Sequence, residues 1–351
     1  LDNKSLIIYG DGKQTRDYQY IDDAVDGYIA SLGIPSGEVI NTGYGVDHSI
    51  LEIAKTIINI TNSSSRIVHA APRPGEVRYL NCSIEKAAKY IENEFERIGL
   101  KTYEDLKSYR QTFTFKNRRT NEDITSSNII GVLEGKSRKH EYVVISAHYD
   151  HLGTKSSGEG DLIFNGANDN ASGVTGVLAL AEYFAKKGKN ERTIIFVAFT
   201  AEEMGLVGSR HFGKGIDASK FVAGINLEMM GKEPATGPKT AWLTGFDRSD
   251  FGKIVQKNLK GTGYKLFPDP YPTFNLFFRS DNASLARLGV PSHTFSTTQI
   301  DKDPDYHKVS DEAESLDVGV ITETIKVVAR GTESIINGKD TPTRVVIKEK
   351  K

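Results

Sequence analysis

The stretch from Tyr142 to Asp169 constrains this chain more than any other. Val143, Val144, Ile145, Ser146 and Ala147 form an apolar run cut off by polar residues, the pattern of a buried strand. The run ends at His148-Tyr149-Asp150. An imidazole at a strand tip, with a carboxylate two residues on, makes a good metal ligand, because the carboxylate can hold the second ring nitrogen and fix the tautomer. Asp169 follows among Gly166, Ala167, Ala171 and Gly173, where small neighbours leave a carboxylate approachable from several sides.

The only cysteine is Cys82, which removes any internal disulfide framework or thiolate cluster. A metal would therefore be held by His, Asp and Glu. At 351 residues the chain has room for one large domain or two ordinary ones. A net charge of -1 gives no basic excess to favour nucleic acid or an anionic membrane. No apolar run is long enough to span a bilayer, and no signal peptide is visible.

Downstream, apolar strands alternate with amphipathic helices. Ile84 to Ile98 has helical spacing, with Gly99 as its cap. Arg110 to Phe115 and Ser127 to Leu133 read as strands of a meander. A helix through Val174 to Ala185 follows Asp169. Thr193 to Phe199, Phe221 to Leu227 and His293 to Ser296 read as further strands. Asp281 to Leu288 reads as a short helix, Leu316 to Ile336 as the final one, and Lys339 to Lys351 as a charged tail that frays. The pattern predicts a mixed, mostly parallel sheet sandwiched by helices, with the active residues at the strands' carboxyl ends.

Three such ends carry acid or imidazole: His148, the pair Glu202-Glu203, and Glu228. Adjacent glutamates at a strand tip point to different sides, so one can ligate while its neighbour faces substrate. His307 closes the set from a polar loop. Five N/O ligands and a free carboxylate suit two divalent ions, zinc above all. His48, His140, His211 and His293 read as structural, and His151 as packing beside the site without ligating. Arg279, Asp281 and Phe295 are pocket candidates, although a helix cap at Asp281 and a core role for Phe295 are the plainer readings. Phe274, Leu276, Phe277 and Phe278 form an apolar loop that is either a pocket wall or core.

SAHYDHLG, NGANDNASG, FTAEEMGLVGS, INLEMMG, RSDNASLARLGVPSHTFST and DYHKVSD resemble, in that order, the motifs of the co-catalytic di-zinc aminopeptidases, relatives of bacterial leucyl aminopeptidases and glutaminyl cyclases. The likeness runs from about residue 84 to 336. It implies a di-zinc exopeptidase fold and two Zn2+ per chain bridged by Asp169. His148 and Glu228 would complete one site, and Glu203 and His307 the other. Glu202 would be the general base, Asp150 the partner of His148, and Tyr306 an oxyanion donor. A cis peptide would follow Asp169. Glu228 stands where many relatives have Asp. The implied reaction is removal of the N-terminal residue from peptides with a free N-terminus, by a hydroxide bridging two zinc ions. The alternatives are a single-zinc glutaminyl cyclase-like acyltransferase, and a nucleotide-sugar-binding protein with an inactive peptidase-like scaffold. The resemblance implies a secreted or periplasmic relative, so the compartment stays open.

The first 80 or so residues have another character. Ser49 with Glu52 marks a capping box at the start of a helix, Ser5 to Tyr9 and Glu38 to Asn41 read as strands, and Pro72 to Glu76 as a rigid turn. IIYGDGKQTRDYQYIDD, GEVINTGYG and PRPGEV resemble the C-terminal substrate-binding part of nucleotide-sugar epimerases and dehydratases, which are extended short-chain dehydrogenase/reductases. That resemblance implies Arg16 and Arg73 at a diphosphate and Glu76 near a ribose. No Gly-rich dinucleotide fingerprint accompanies it. The expected organisation is a small incomplete α/β segment over 1–82, the zinc aminopeptidase domain over 83–338, and the tail over 339–351.

Overall fold

Along the strand Arg138–His148, side chains alternate between two faces, and both faces are apolar. Val143, Ile145 and Ala147 join one buried cluster, to which the helices Glu85–Ile98, Ser172–Lys187, Phe251–Leu259 and Val318–Gly331 contribute. Val144 belongs to a second cluster, with Phe212 from the helix Val207–Lys214 and Leu285 from Asn282–Ala286. The neighbouring strand Arg192–Phe199 divides in the same way, with Ile194, Phe196 and Ala198 against Ile195, Val197 and Phe199. A sheet buried on both sides by helices follows from this two-faced pattern. This computed structural model describes residues 4–12, 15–17, 47–71, 84–117, 122–154 and 163–345.

The sheet has nine strands, in the order Lys265–Pro268, Thr240–Leu243, Ser292–Ser296, Phe221–Leu227, Arg138–His148, Arg192–Phe199, Asp123–Leu133 and Lys101–Thr102, with Arg110–Lys116 also paired to Asp123–Leu133. Four central strands, Ser292–Ser296, Phe221–Leu227, Arg138–His148 and Arg192–Phe199, are mutually parallel. Their carboxyl ends lie along one edge. Antiparallel strands flank them on both sides.

The chain divides into two compact units, Leu1–Glu85 with Gly153–Ile163, and Lys86–Leu152 with Phe164–Lys351. In the first, Leu6–Tyr9 pairs in parallel with Ile67–Ala70. The helix Ile50–Ile60 opens on the reciprocal capping box of Ser49 and Glu52. The expected strand Glu38 to Asn41, the turn Pro72 to Glu76, and Cys82 lie outside the described residues.

Three expectations need correction. The final helix starts at Val318, not Leu316, and breaks at Thr332, whose hydroxyl donates to Val328 O; the chain resumes as Glu333–Ile336. Asp281 makes no side-chain capping bond. The tail does not fray over its first residues. Buried Arg192 donates to Ile335 O at 2.6 Å, Asp340 O at 2.7 Å and the Thr341 hydroxyl. Arg344 donates to Phe221 O, and Val345 is buried. The strands Thr240–Leu243 and Lys265–Pro268, and the helices Val207–Lys214 and Phe251–Leu259, are elements of four to nine residues that the sequence pattern did not predict.

Candidate metal centre

His148 ends its strand fully buried. Its Nδ1 lies 3.0 Å from the backbone carbonyl of Asp150, an atom that only accepts, so Nδ1 carries a proton. The other ring nitrogen, Nε2, then faces two carboxylate oxygens, Asp169 Oδ1 at 3.2 Å and Glu228 Oε1 at 3.1 Å. A neutral ring would aim a lone pair at two anions. Only a proton or a cation placed there resolves the conflict. Burial alone would lower the His148 pKa, but Glu228, Glu202 and Asp169 carry it well above its ordinary value.

Asp169 turns its second oxygen the other way. Oδ2 is 3.2 Å from His307 Nε2 and 3.9 Å from His151 Nδ1. Glu203 Oε1 lies 3.5 Å from His307 Nε2 and 3.0 Å from His151 Nδ1. Two groups of N/O atoms therefore share one carboxylate: His148, Asp169 and Glu228 on one side, and His151, Asp169 and Glu203 on the other, with His307 beside the second group. Four of the separations fall between 3.1 and 3.5 Å. Ligand atoms around a tetrahedral zinc with bonds of roughly 2.0–2.1 Å stand about 3.3 Å apart, so the residues fit that ion.

The backbone is shaped for this convergence. Asp311 accepts the N–H of Asn168 at 2.8 Å and of Asp169 at 3.0 Å. Asn168 Oδ1 accepts from Gly231, while Asn170 Oδ1 accepts from Gly173 and Met229. These amides bind the Asp169 loop to the end of the Glu228 strand. A side chain at Gly173 would meet Asn170 Oδ1 at 2.3 Å and Leu227 O at 2.5 Å, so only glycine permits the approach. The Asp169–Asn170 peptide is cis. Ala201, Met229 and His307 have φ of 53°, 48° and 56°, a left-handed conformation that is uncommon outside glycine and clusters at functional sites. Glu228 is held by Ser280, whose hydroxyl donates to Oε2 at 2.6 Å.

Contrary to expectation, the carboxylate of Asp150 makes no hydrogen bond to His148. It lies 3.8 Å from Nδ1, and it accepts instead the backbone N–H groups of Glu202 at 3.0 Å and Glu203 at 3.3 Å. Glu203 faces the histidines, and both glutamates line the cavity. Burial, then Asp281, Glu228 and Glu203, push Glu202 well above the usual carboxylate range against the pull of His148. Burial would also raise Asp169, but hydrogen bonds from His148 and His307 hold it below that range. Those to Asp169 and Glu203 raise His307 to about 9.

Tyr306 stacks on His307 with ring centres 4.0 Å apart, and its hydroxyl accepts from Arg279 Nη2 at 3.3 Å. Burial and the nearby Asp169 raise the phenol to about 12, so it stays protonated as a donor. A cavity of about 420 Å³ opens over Glu202 and the ligand set, and Arg279, Leu276 and Phe278 line it. Phe277 and Phe295 are core, Phe274 is exposed, and Asp281 is buried off the cavity. His293 is structural: its ring nitrogens meet Ser249 Oγ and Thr244 O. The backbone of Arg16 belongs to a short strand, Thr15–Asp17, but its side chain, like Arg73 and Glu76, lies outside the described residues. Sequence reasoning missed Asp311, Asn168, Asn170 and Ser280. Asp311 stood inside DYHKVSD and the asparagines inside NGANDNASG, which was the one available signal.

Residues 128–332 match Peptidase family M28. The chain belongs to this family. It is 36% identical over 111 residues to Aminopeptidase YwaD of Bacillus subtilis, covering 30% of this chain and 22% of that protein. It is 47% identical over 70 residues to the UDP-N-acetyl-alpha-D-glucosaminuronate decarboxylase of Bacillus cytotoxicus, covering 20% of this chain and 22% of that protein. The chain thus spans about a fifth of the length of these curated relatives. The fold is that of BSAP, a zinc aminopeptidase from Bacillus subtilis, with a TM-score of 0.52 and 24% identity over 63% of this chain and 52% of that one. The expectation of an α/β exopeptidase fold holds. Among the described residues, no helix is long and apolar enough to cross a membrane.

Proposed function

We propose that the chain is a zinc-dependent aminopeptidase that hydrolyses the first peptide bond of a substrate with a free N-terminus. The observation that carries this reading is Asp169, whose two oxygens each stand 3.2 Å from a different histidine. Membership of family M28, and the likeness to proteins named as aminopeptidases, support it. His148, Asp169 and Glu228 would hold one ion. Asp169, Glu203 and His307, with His151 adjacent, would hold the other. When bound, such cations would supply acidification of the attacking water and polarisation of the substrate carbonyl.

The chain's own residues do the rest. Glu202 takes the proton of the attacking water at its carboxylate and returns it to the leaving amine. Burial and the neighbouring carboxylates raise its pKa above the usual carboxylate range, the direction that favours return of the proton to the leaving amine. Tyr306 donates its hydroxyl proton in a hydrogen bond to the developing oxyanion. The carboxylates lining the cavity attract the substrate's α-ammonium group and restrict cleavage to chain ends. The segment over 1–82 is read as accessory, because every residue lining the cavity lies in the second unit.

The test combines elemental analysis with hydrolysis of amino-acid p-nitroanilides. The expected result is about two zinc ions per chain, activity abolished by a chelator, and a loss of about 10²–10⁴-fold in kcat for Glu202→Gln at unchanged metal content. Chelator-insensitive hydrolysis, or a Glu202→Gln variant as active as the parent, would overturn the reading.

A further inference from the structure

The cavity over the metal centre carries three guanidinium groups that the reading so far does not use. Arg210 sits on the helix Val207–Lys214 and Arg287 immediately after the helix Asn282–Ala286. These helices are joined by Ser209 Oγ and Ser284 Oγ at 2.8 Å, so the two arginines rise from one wall. Arg279 stands beside Tyr306, next to the reacting centre. All three line the same cavity as Glu202 and the ligand set.

Two of them, Arg279 and Arg287, differ in their surroundings from other arginines of the described residues. Arg97, Arg110, Arg138 and Arg192 each pair with a glutamate. Among the described residues, Arg279 and Arg287 have no carboxylate within 4.0 Å; Arg279 meets the Tyr306 hydroxyl, and Arg287 lies 5.6 Å from the Phe278 ring. Arg210 donates Nε to Leu206 O at 3.2 Å. The carboxylates of Asp169, Glu203 and Glu228 face the histidines, not Arg279 or Arg287. Trp242 and Phe278 add apolar surface to the lining. A guanidinium fork with its donors turned to a cavity matches a carboxylate in shape and charge, and such a pair strengthens as water is excluded.

We propose that Arg279 and Arg287 form a carboxylate subsite, so that the cavity selects peptides bearing a carboxylate near the scissile bond. This rests on the aminopeptidase reading. Two parts of a peptide supply that group: an acidic side chain on the first residue, or the free C-terminus of a very short peptide.

The experiment uses the zinc-loaded full chain carrying Glu202→Gln, so that peptides bind without turnover. Calorimetry compares Glu-Ala-amide with Gln-Ala-amide, and Leu-Ala with Leu-Ala-amide. The expected result is that the carboxylate-bearing member of at least one pair binds about tenfold more tightly, and the pair that responds identifies the source. In the added double variant Arg279→Gln/Arg287→Gln the preference disappears, while Arg287→Lys, which keeps the charge without the fork, retains part of it. Equal affinities within both pairs, no binding of any of the four peptides, or a preference that survives the double variant would each overturn the proposal. Hydrolysis of the same peptides by the parent chain is read separately. Carboxylate-dependent binding without release of the first amino acid would sink the aminopeptidase reading and leave the subsite standing.

Discussion

The carboxylate of Asp150 accepts the backbone N–H of Glu202 at 3.0 Å. With its second oxygen on the N–H of Glu203, this side chain spans the turn from which both glutamates project. It therefore sets where Glu202 stands over the cavity and where Glu203 meets the histidines. The ring of His148 is steadied by the Asp150 main chain instead.

Asp150→Ala should separate these two jobs. The main-chain carbonyl remains, so His148 keeps its orientation. Two buried amide donors lose their acceptor, at roughly 1–3 kcal/mol each. The expected outcome is a melting temperature lowered by several degrees and a kcat reduced at least tenfold, with one zinc ion retained at the His148 side. Calorimetry and elemental analysis check it. A variant with normal kcat would show that the turn holds itself.

His151→Ala tests the second ligand group. Its Nδ1 lies 3.0 Å from Glu203 Oε1, and its buried Nε2 has no hydrogen-bond partner among the described residues. Whether it ligates directly or steadies Glu203, its loss should weaken one of two ions about 10–100-fold and leave the other intact. A chelator titration should then resolve two steps where the parent shows a narrower spread. Unchanged affinity for both ions would return His151 to a packing role.

Lys232→Met tests the loop that carries Tyr306 and His307. Lys232 Nζ binds Asp303 at 2.6 Å and Asp305 at 2.5 Å, and the Asp303 side chain is only 2% exposed. Removing the cation strands a buried carboxylate, at a cost of about 3 kcal/mol or more. The loop should loosen, the ion on the His307 side should bind less tightly, and cleavage within residues 299–311 should become faster under limited proteolysis. An unchanged digestion pattern would count against the clamp.

His293 makes stability depend on pH away from the ligand set. Burial, helped by Arg248 and opposed by the Thr244 carbonyl, lowers its pKa from 6.5 to about 4. Between those values the unfolded chain binds a proton that the folded chain refuses. Stability is therefore full above about pH 6.5 and falls as pH drops toward 4, by up to about 3 kcal/mol from this group. His293→Gln should narrow the gap between melting temperatures at pH 7.5 and pH 5. A gap equal to the parent's would assign the acid sensitivity elsewhere.

The sequence by itself determined the strands that bear the site and the residues at their tips. Continuous apolar runs mark Thr193–Phe199 and Phe221–Leu227, and a strand's end follows directly from where such a run stops. The helix at Ser172–Lys187 was legible from its apolar face, and the ligand candidates from motifs that keep their order along the chain. These signals are local, because backbone periodicity is written within a few residues. Only the tertiary structure decided what the side chains do across long separations. It turned the Asp150 carboxylate onto Glu202, brought His151 to Glu203, set Asp311 beneath Asp169 from 142 residues away, and gathered Arg210, Arg279 and Arg287 on one cavity. The reason is physical. A hydrogen bond between residues far apart in the chain depends on the register of strands and the rotation of helices, and these are set by packing of the whole core.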